Sequence, residues 1–156
     1  MPGGVEREIE MPHPRYARYH KCDLQMQTPG DFQHWEGTAC KLTAASSDED
    51  LATAAAAFVD QCYEAGLEVI GLTDHNLLGH CERFLDLVRD ETQKQAAVRG
   101  RRITVFPGFE ITAATPGNIH LLCIFEPKTT TDELSHVLTA LGLAPGKRVA
   151  GAKSTC

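Results

Sequence analysis

The chain has 156 residues, 42% of them hydrophobic, a length and composition suited to one ordinary domain with a real core. A formal net charge of −6 argues against a general nucleic-acid-binding surface, although a bound cation can still bring a phosphate ester to an acidic protein. No apolar run approaches the ~20 residues that span a bilayer, and the first 19 residues carry no apolar signal-peptide core, so the expectation is a cytoplasmic protein with no membrane partner.

Residues 1–19, with Pro2, Gly3, Gly4, Pro12 and Pro14, read as a disordered leader. A first strand over 20–26 runs into the turn signal Thr28-Pro29-Gly30-Asp31. The loop after it, 32–45, is long and aperiodic, a pattern that often marks function. Ser46 or Ser47 then caps a helix, with Glu49 or Asp50 completing a capping box. Leu51, Ala55, Phe58, Val59 and Cys62 recur at helical spacing, and Gly66 closes the helix. A buried strand follows over 67–73, then a helix over 78–98 with Phe84, Leu85 and Val88 on its apolar face, then Gly100 and a strand over 102–106.

This alternation is the pattern of parallel βαβ units. It changes after Phe106. The connection through Pro116-Gly117-Asn118 to a strand over 119–125 is too short for a helical crossover, so that pair is expected to be antiparallel. A last helix over 131–141, with Leu134, Val137, Leu138 and Leu141 on one face, is closed by Gly142, and 144–156 reads as a loose tail. Six cysteines without Cys-x-x-Cys spacing are expected to be reduced thiols.

Polar groups gather at the strand ends: Gln25 and Gln27, Asp74 and His75, Glu110, and His120. Alone, Asp74-His75 is also the end of an ordinary strand, His120 a core histidine and the glutamines a solvated strand face. Two imidazoles with intervening carboxylates are, however, the usual material of a hydrolytic metal site, where an ion acidifies water and polarises an ester oxygen.

The words Asp23-Leu24-Gln25-Met26-Gln27-Thr28, Gly71-Leu72-Thr73-Asp74-His75-Asn76, Pro107-Gly108-Phe109-Glu110-Ile111-Thr112 and His120-Leu121-Leu122 resemble, in order and spacing, the first motifs of the PHP (polymerase and histidinol phosphatase) family. The resemblance covers roughly residues 21–125. It implies an α/β fold, the N-terminal portion of a distorted (β/α)7 barrel, with mostly parallel strands and one antiparallel pair. It also implies a multinuclear zinc, manganese or iron centre that hydrolyses phosphate mono- or diesters.

Carried over by position, His75, Glu110 and His120 match metal ligands. Asp74 stands beside them as a ligand orienter in a catalytic group of Asp74, His75 and Glu110. Asp31 and His34 lie in the loop where the family often places another ligand. The implied partners are a phosphate-ester small molecule or nucleotide, with nucleic acid left open. The subgroup most resembled is fused to ATPases, which adds an ATPase domain or subunit.

Two departures qualify the resemblance. Gln25-Met26-Gln27 stands where most members have His-x-His, and an amide oxygen binds zinc or iron more weakly than an imidazole nitrogen, so fewer ions than the family's full set are expected. A late Asp-x-His motif is also missing, so 20–143 reads as an incomplete barrel and the chain as a fragment, with sheet edges that a full barrel would pair. The alternative function is a catalytically degenerate PHP module that binds a ligand or regulates a larger protein.

Overall fold

Short apolar strands alternating with amphipathic helices build an α/β fold around a mostly parallel five-stranded sheet. In the computed structural model, residues 19–37, 40–149 and 152–154 are described. The expected leader therefore lies, but for Tyr19, outside the described residues. The elements are β1 (Cys22–Met26), α1 (Asp48–Glu64), β2 (Val69–Leu72), α2 (Cys81–Arg99), β3 (Thr104–Ala113), β4 (His120–Ile124), α3 (Thr131–Ala140), a 3₁₀ turn at Pro145–Lys147, and β5 (Lys153–Ser154). The strand order is β1-β2-β3-β4, with β5 beside β3. β1, β2 and β3 are parallel, β4 returns antiparallel to β3, and β5 runs parallel to β3.

The helix positions follow from their caps. Of the two candidate serines, Ser47 is the N-cap of α1: it accepts from the Asp50 N–H while the Asp50 carboxylate accepts from the Ser47 N–H. Thr130 and Glu133 make the same reciprocal pair at α3. Gly66 follows the C-cap of α1 at φ 73°, and Gly100 caps α2 at φ 64°. The apolar face of α1 (Leu51, Ala55, Phe58, Val59, Cys62) is buried as its spacing requires. It packs with Phe84, Leu85 and Val88 of α2 and with Ile70, Leu72, Phe109 and Ile111 of the sheet. Phe58 meets Phe84 edge-on at 6.0 Å. Each fully buried side chain of this kind stabilises the fold by about 1.5–3 kcal/mol.

Two expectations need correction. The strand expected to end at Phe106 continues to Ala113. Up to Pro107 it pairs with β2, and from Gly108 it pairs with β4, so one strand serves two partners in succession. Pro107 keeps its place because its carbonyl accepts from the Phe125 N–H, while its missing N–H falls where the partner changes. Gly108 is required there: a Cβ would stand 2.4 Å from the Cys123 carbonyl oxygen.

The second correction concerns the tail. Its residues 152–154 are held in place, Lys153 and Ser154 pairing with Thr112 and Ala113 and Ser154 fully buried. Arg148, only 6% exposed at its side chain, donates to the Leu143 and Ser135 carbonyls and to Glu82. These bonds fasten the segment to α2 and α3. No helix among the described residues is long and apolar enough to cross a membrane.

Candidate metal centre

The site begins with a tight turn. The Asp31 N–H donates to the Thr28 carbonyl, and the Asp31 carbonyl accepts from the N–H groups of His34 and Trp35, a single helical turn that sets His34 three residues after Asp31 on the same side. Gly30 lets this loop lie on the start of α2, where a Cβ would be 2.8 Å from the Phe84 Cβ and 3.1 Å from the Cys81 Cα. The His80 N–H closes the contact by donating to the Gly30 carbonyl.

Asp74, at the tip of β2, holds the loop from the other side. Its carboxylate accepts from the Thr28 N–H at 2.6 Å and the Thr28 hydroxyl at 2.7 Å. Burial pushes its carboxyl up to about 7, against the opposing pull of the two Thr28 bonds. The buried Cys81 thiol lies against the same carboxylate and is raised by burial and by that charge. Asp74 therefore anchors the Thr28 turn, and the carboxylate that meets the Nδ1 of His75 belongs to Asp31.

Asp31 is fully buried. Its oxygens lie 2.9 and 3.0 Å from His34 Nδ1, and one lies 3.0 Å from His75 Nδ1. The two imidazoles face each other with centroids 4.3 Å apart. His75 is engaged on its other nitrogen too, with Nε2 3.7 Å from Glu110 Oε1 and 3.4 Å from the Gln27 amide nitrogen. His120 Nδ1 lies 2.5 Å from the same Glu110 oxygen. Glu110 is buried, whereas the His120 side chain is 59% exposed.

The backbone supplies the register. The Glu110 N–H donates to the Asp74 carbonyl and the Asn76 N–H to the Glu110 carbonyl, which pins the tip of β2 to β3 just beyond their regular pairing. Asn76 and Leu77 then both adopt left-handed φ, 51° and 50°, a strained conformation for residues with a Cβ and the means of turning the chain directly after His75.

The structure thus brings His75, Glu110 and His120 together around one carboxylate oxygen. The more compact group is Asp31, His34 and His75, whose potential ligand atoms all lie within 4.8 Å of one another. These three residues can hold a metal ion. Asp31 oxygens stand 2.9–3.0 Å from the imidazole nitrogens, so the three donor groups face one common point. A fully buried carboxylate flanked by two imidazoles is also chemically suited to a divalent cation.

Gln25 and Gln27 line an open cleft of about 720 Å³ together with His34 and His75. The Thr28–Asp74 anchor, spanning 46 positions, left no sequence signal. The Asp31-x-x-His34 spacing did carry one, since it is the i, i+3 interval that a helical turn brings to one side. Neither a family model, nor a curated protein, nor a solved structure matches this chain.

Proposed function

We propose that this chain is a PHP-type, metal-dependent phosphoesterase domain, the N-terminal portion of a distorted barrel acting on a phosphate mono- or diester. The observation that carries the reading is His75, held between two buried carboxylates, Asp31 on Nδ1 and Glu110 on Nε2, with His34 and His120 beside them. Asp31, His34 and His75 would hold one divalent ion, and Glu110 with His120 would complete or extend the site. Zinc, manganese or iron suits this mixture of nitrogen and oxygen donors. When bound, such an ion supplies Lewis acidity to the ester oxygen and lowers the pKa of water.

The protein's own part is positional. Asp31, lying against Nδ1 of both His34 and His75, keeps the two rings turned toward the same point. Asp74 and Thr28 hold the loop that carries Asp31. Glu110, inside a paired strand, cannot swing away from His75 as a loop carboxylate would.

The test is hydrolysis of p-nitrophenyl phosphate and bis(p-nitrophenyl) phosphate by the full chain supplied with Mn²⁺ or Zn²⁺. Activity lost in Glu110→Gln and His75→Asn is expected. Wild-type turnover that matches both variants would overturn the proposal.

One observation favours a second reading, the catalytically degenerate module serving a larger ATPase-containing protein. Gln25 and Gln27 stand where imidazoles would face His75, and the Gln27 amide lies within 3.4 Å of it. On that reading the wild type is inert, and the double substitution Gln25→His with Gln27→His raises both metal content and hydrolysis.

A further inference from the structure

The cleft beside His75 has a composition that phosphate chemistry does not account for. It is lined by three primary amides, Gln25, Gln27 and Gln33, by one indole, Trp35, and by the imidazoles of His34 and His75. Among the described residues no lysine or arginine lines it, and exposed Glu36 adds a negative charge. A phosphate is therefore not held in the outer cleft by cations of those residues. Amides and an indole suit a ligand that is neutral, planar and rich in hydrogen-bonding edges.

The indole has a defined seat. A Cβ on residue 37 would fall 2.3–2.7 Å from three atoms of the Trp35 ring, so Gly37 is what lets the ring lie across the backbone there. The ring is only partly buried. Gln25 and Gln27 both line the cleft, and each amide offers a donor and an acceptor together. That pairing matches the edge of an adenine, which glutamine reads bidentately, while the face of a base stacks on an indole. About 720 Å³ is ample for a mononucleotide.

We infer that the cleft formed by Gln25, Gln27, Gln33 and Trp35 is a nucleobase subsite, so that the ester handled at the His34–His75 end is a nucleoside phosphate. The base stacks on Trp35 and is read by the glutamine amides, and the phosphate reaches inward to the candidate metal centre. The inference deepens the proposed phosphoesterase reading, on which its assignment of the phosphate end rests. It also gives the two glutamines that replace imidazoles a use of their own.

Trp35 is the chain's only tryptophan, so its fluorescence reports on this cleft alone. The full chain is titrated with AMP, adenosine, ribose 5-phosphate and glucose, with and without EDTA. Saturable quenching by AMP and by adenosine is expected, and the adenosine signal is expected to survive EDTA, which separates the base subsite from the metal reading. Calorimetry on Trp35→Ala and on Gln25→Leu with Gln27→Leu, each checked for wild-type circular dichroism, should show adenosine affinity lowered by roughly 10-fold or more. Three results would overturn the inference: ribose 5-phosphate binding as tightly as AMP, glucose quenching in place of adenosine, or unchanged adenosine affinity in Trp35→Ala. Adenosine binding by a chain that hydrolyses neither AMP nor the two p-nitrophenyl esters would keep the subsite and reject the phosphoesterase reading.

Discussion

Gly108→Ala tests the account of how β3 serves both halves of the sheet. The added methyl would stand 2.4 Å from the Cys123 carbonyl oxygen, 3.2 Å from Thr73 Cγ2 and 3.3 Å from the Leu72 carbonyl oxygen. Ordinary carbon–oxygen contact needs about 3.4 Å, so β4 must retreat by about 1 Å, and the neighbours on the other side are themselves close. Overpacking of this kind costs about 1–3 kcal/mol, and the upper end applies because the clashing oxygen is backbone and cannot rotate away. For a chain of this length each kcal/mol moves Tm by about 2–4 °C, so a fall of roughly 6–12 °C is expected. Gly117→Ala is the control: nothing lies within 4 Å of a methyl added there, and its φ is not left-handed. It should leave Tm within about 2 °C of wild type or slightly above. Thermal unfolding followed by circular dichroism reads both variants. A Gly108→Ala protein as stable as Gly117→Ala would refute the close approach of β3 to β4 at Gly108.

Thr28→Val removes the hydroxyl that donates to Asp74 while keeping side-chain volume; it should cost about 1–3 kcal/mol in urea unfolding, and an unchanged midpoint would contradict the anchoring role. Burial, with the Asp23 charge second, pushes the Cys62 thiol up to about 11, so at pH 8 only about one molecule in a thousand carries the thiolate there. Iodoacetamide on the folded chain should therefore modify exposed Cys22 and spare Cys62 and Cys81 until denaturant is added, as read by peptide mass spectrometry. Equal labelling of Cys22 and Cys62 in native buffer would contradict the packing of α1.

The regular elements were legible because local signals fixed them. Ser47 with Asp50, the apolar stripe from Leu51 to Cys62, and Gly100 each act within a few residues, so periodicity and caps sufficed. The short link after Ala113 was enough to make β4 antiparallel. What escaped was set by distant contacts. Pro107-Gly108 looked like the end of a strand, and only the change of partner from β2 to β4 explains why the strand continues. The order at 152–154 depends on pairing with the far end of β3 and on the burial of Ser154, neither of which a short polar sequence announces.

The candidate site divides the same way. His75, Glu110 and His120 are readable as polar groups beside apolar runs, and they do converge. Glu110, however, lies inside β3 and not at the strand end expected for it, because the strand continues to Ala113. That a carboxylate from the loop, Asp31, rather than the adjacent Asp74 meets His75 depends on how Thr28 captures Asp74 across the sheet. Neighbours in sequence point apart here.

The central claim is that Asp31, His34 and His75 hold a divalent ion. Thermal unfolding with graded Zn²⁺ or Mn²⁺, paired with elemental analysis after dialysis, measures it most directly. At free metal 100-fold above Kd, binding to the folded state adds about 2.7 kcal/mol and should raise Tm by about 5–11 °C. About one retained ion per chain is expected, with both effects lost in His75→Asn and in Asp31→Asn that remain folded. A wild-type chain that retains no metal and shows no rise in Tm would contradict the account.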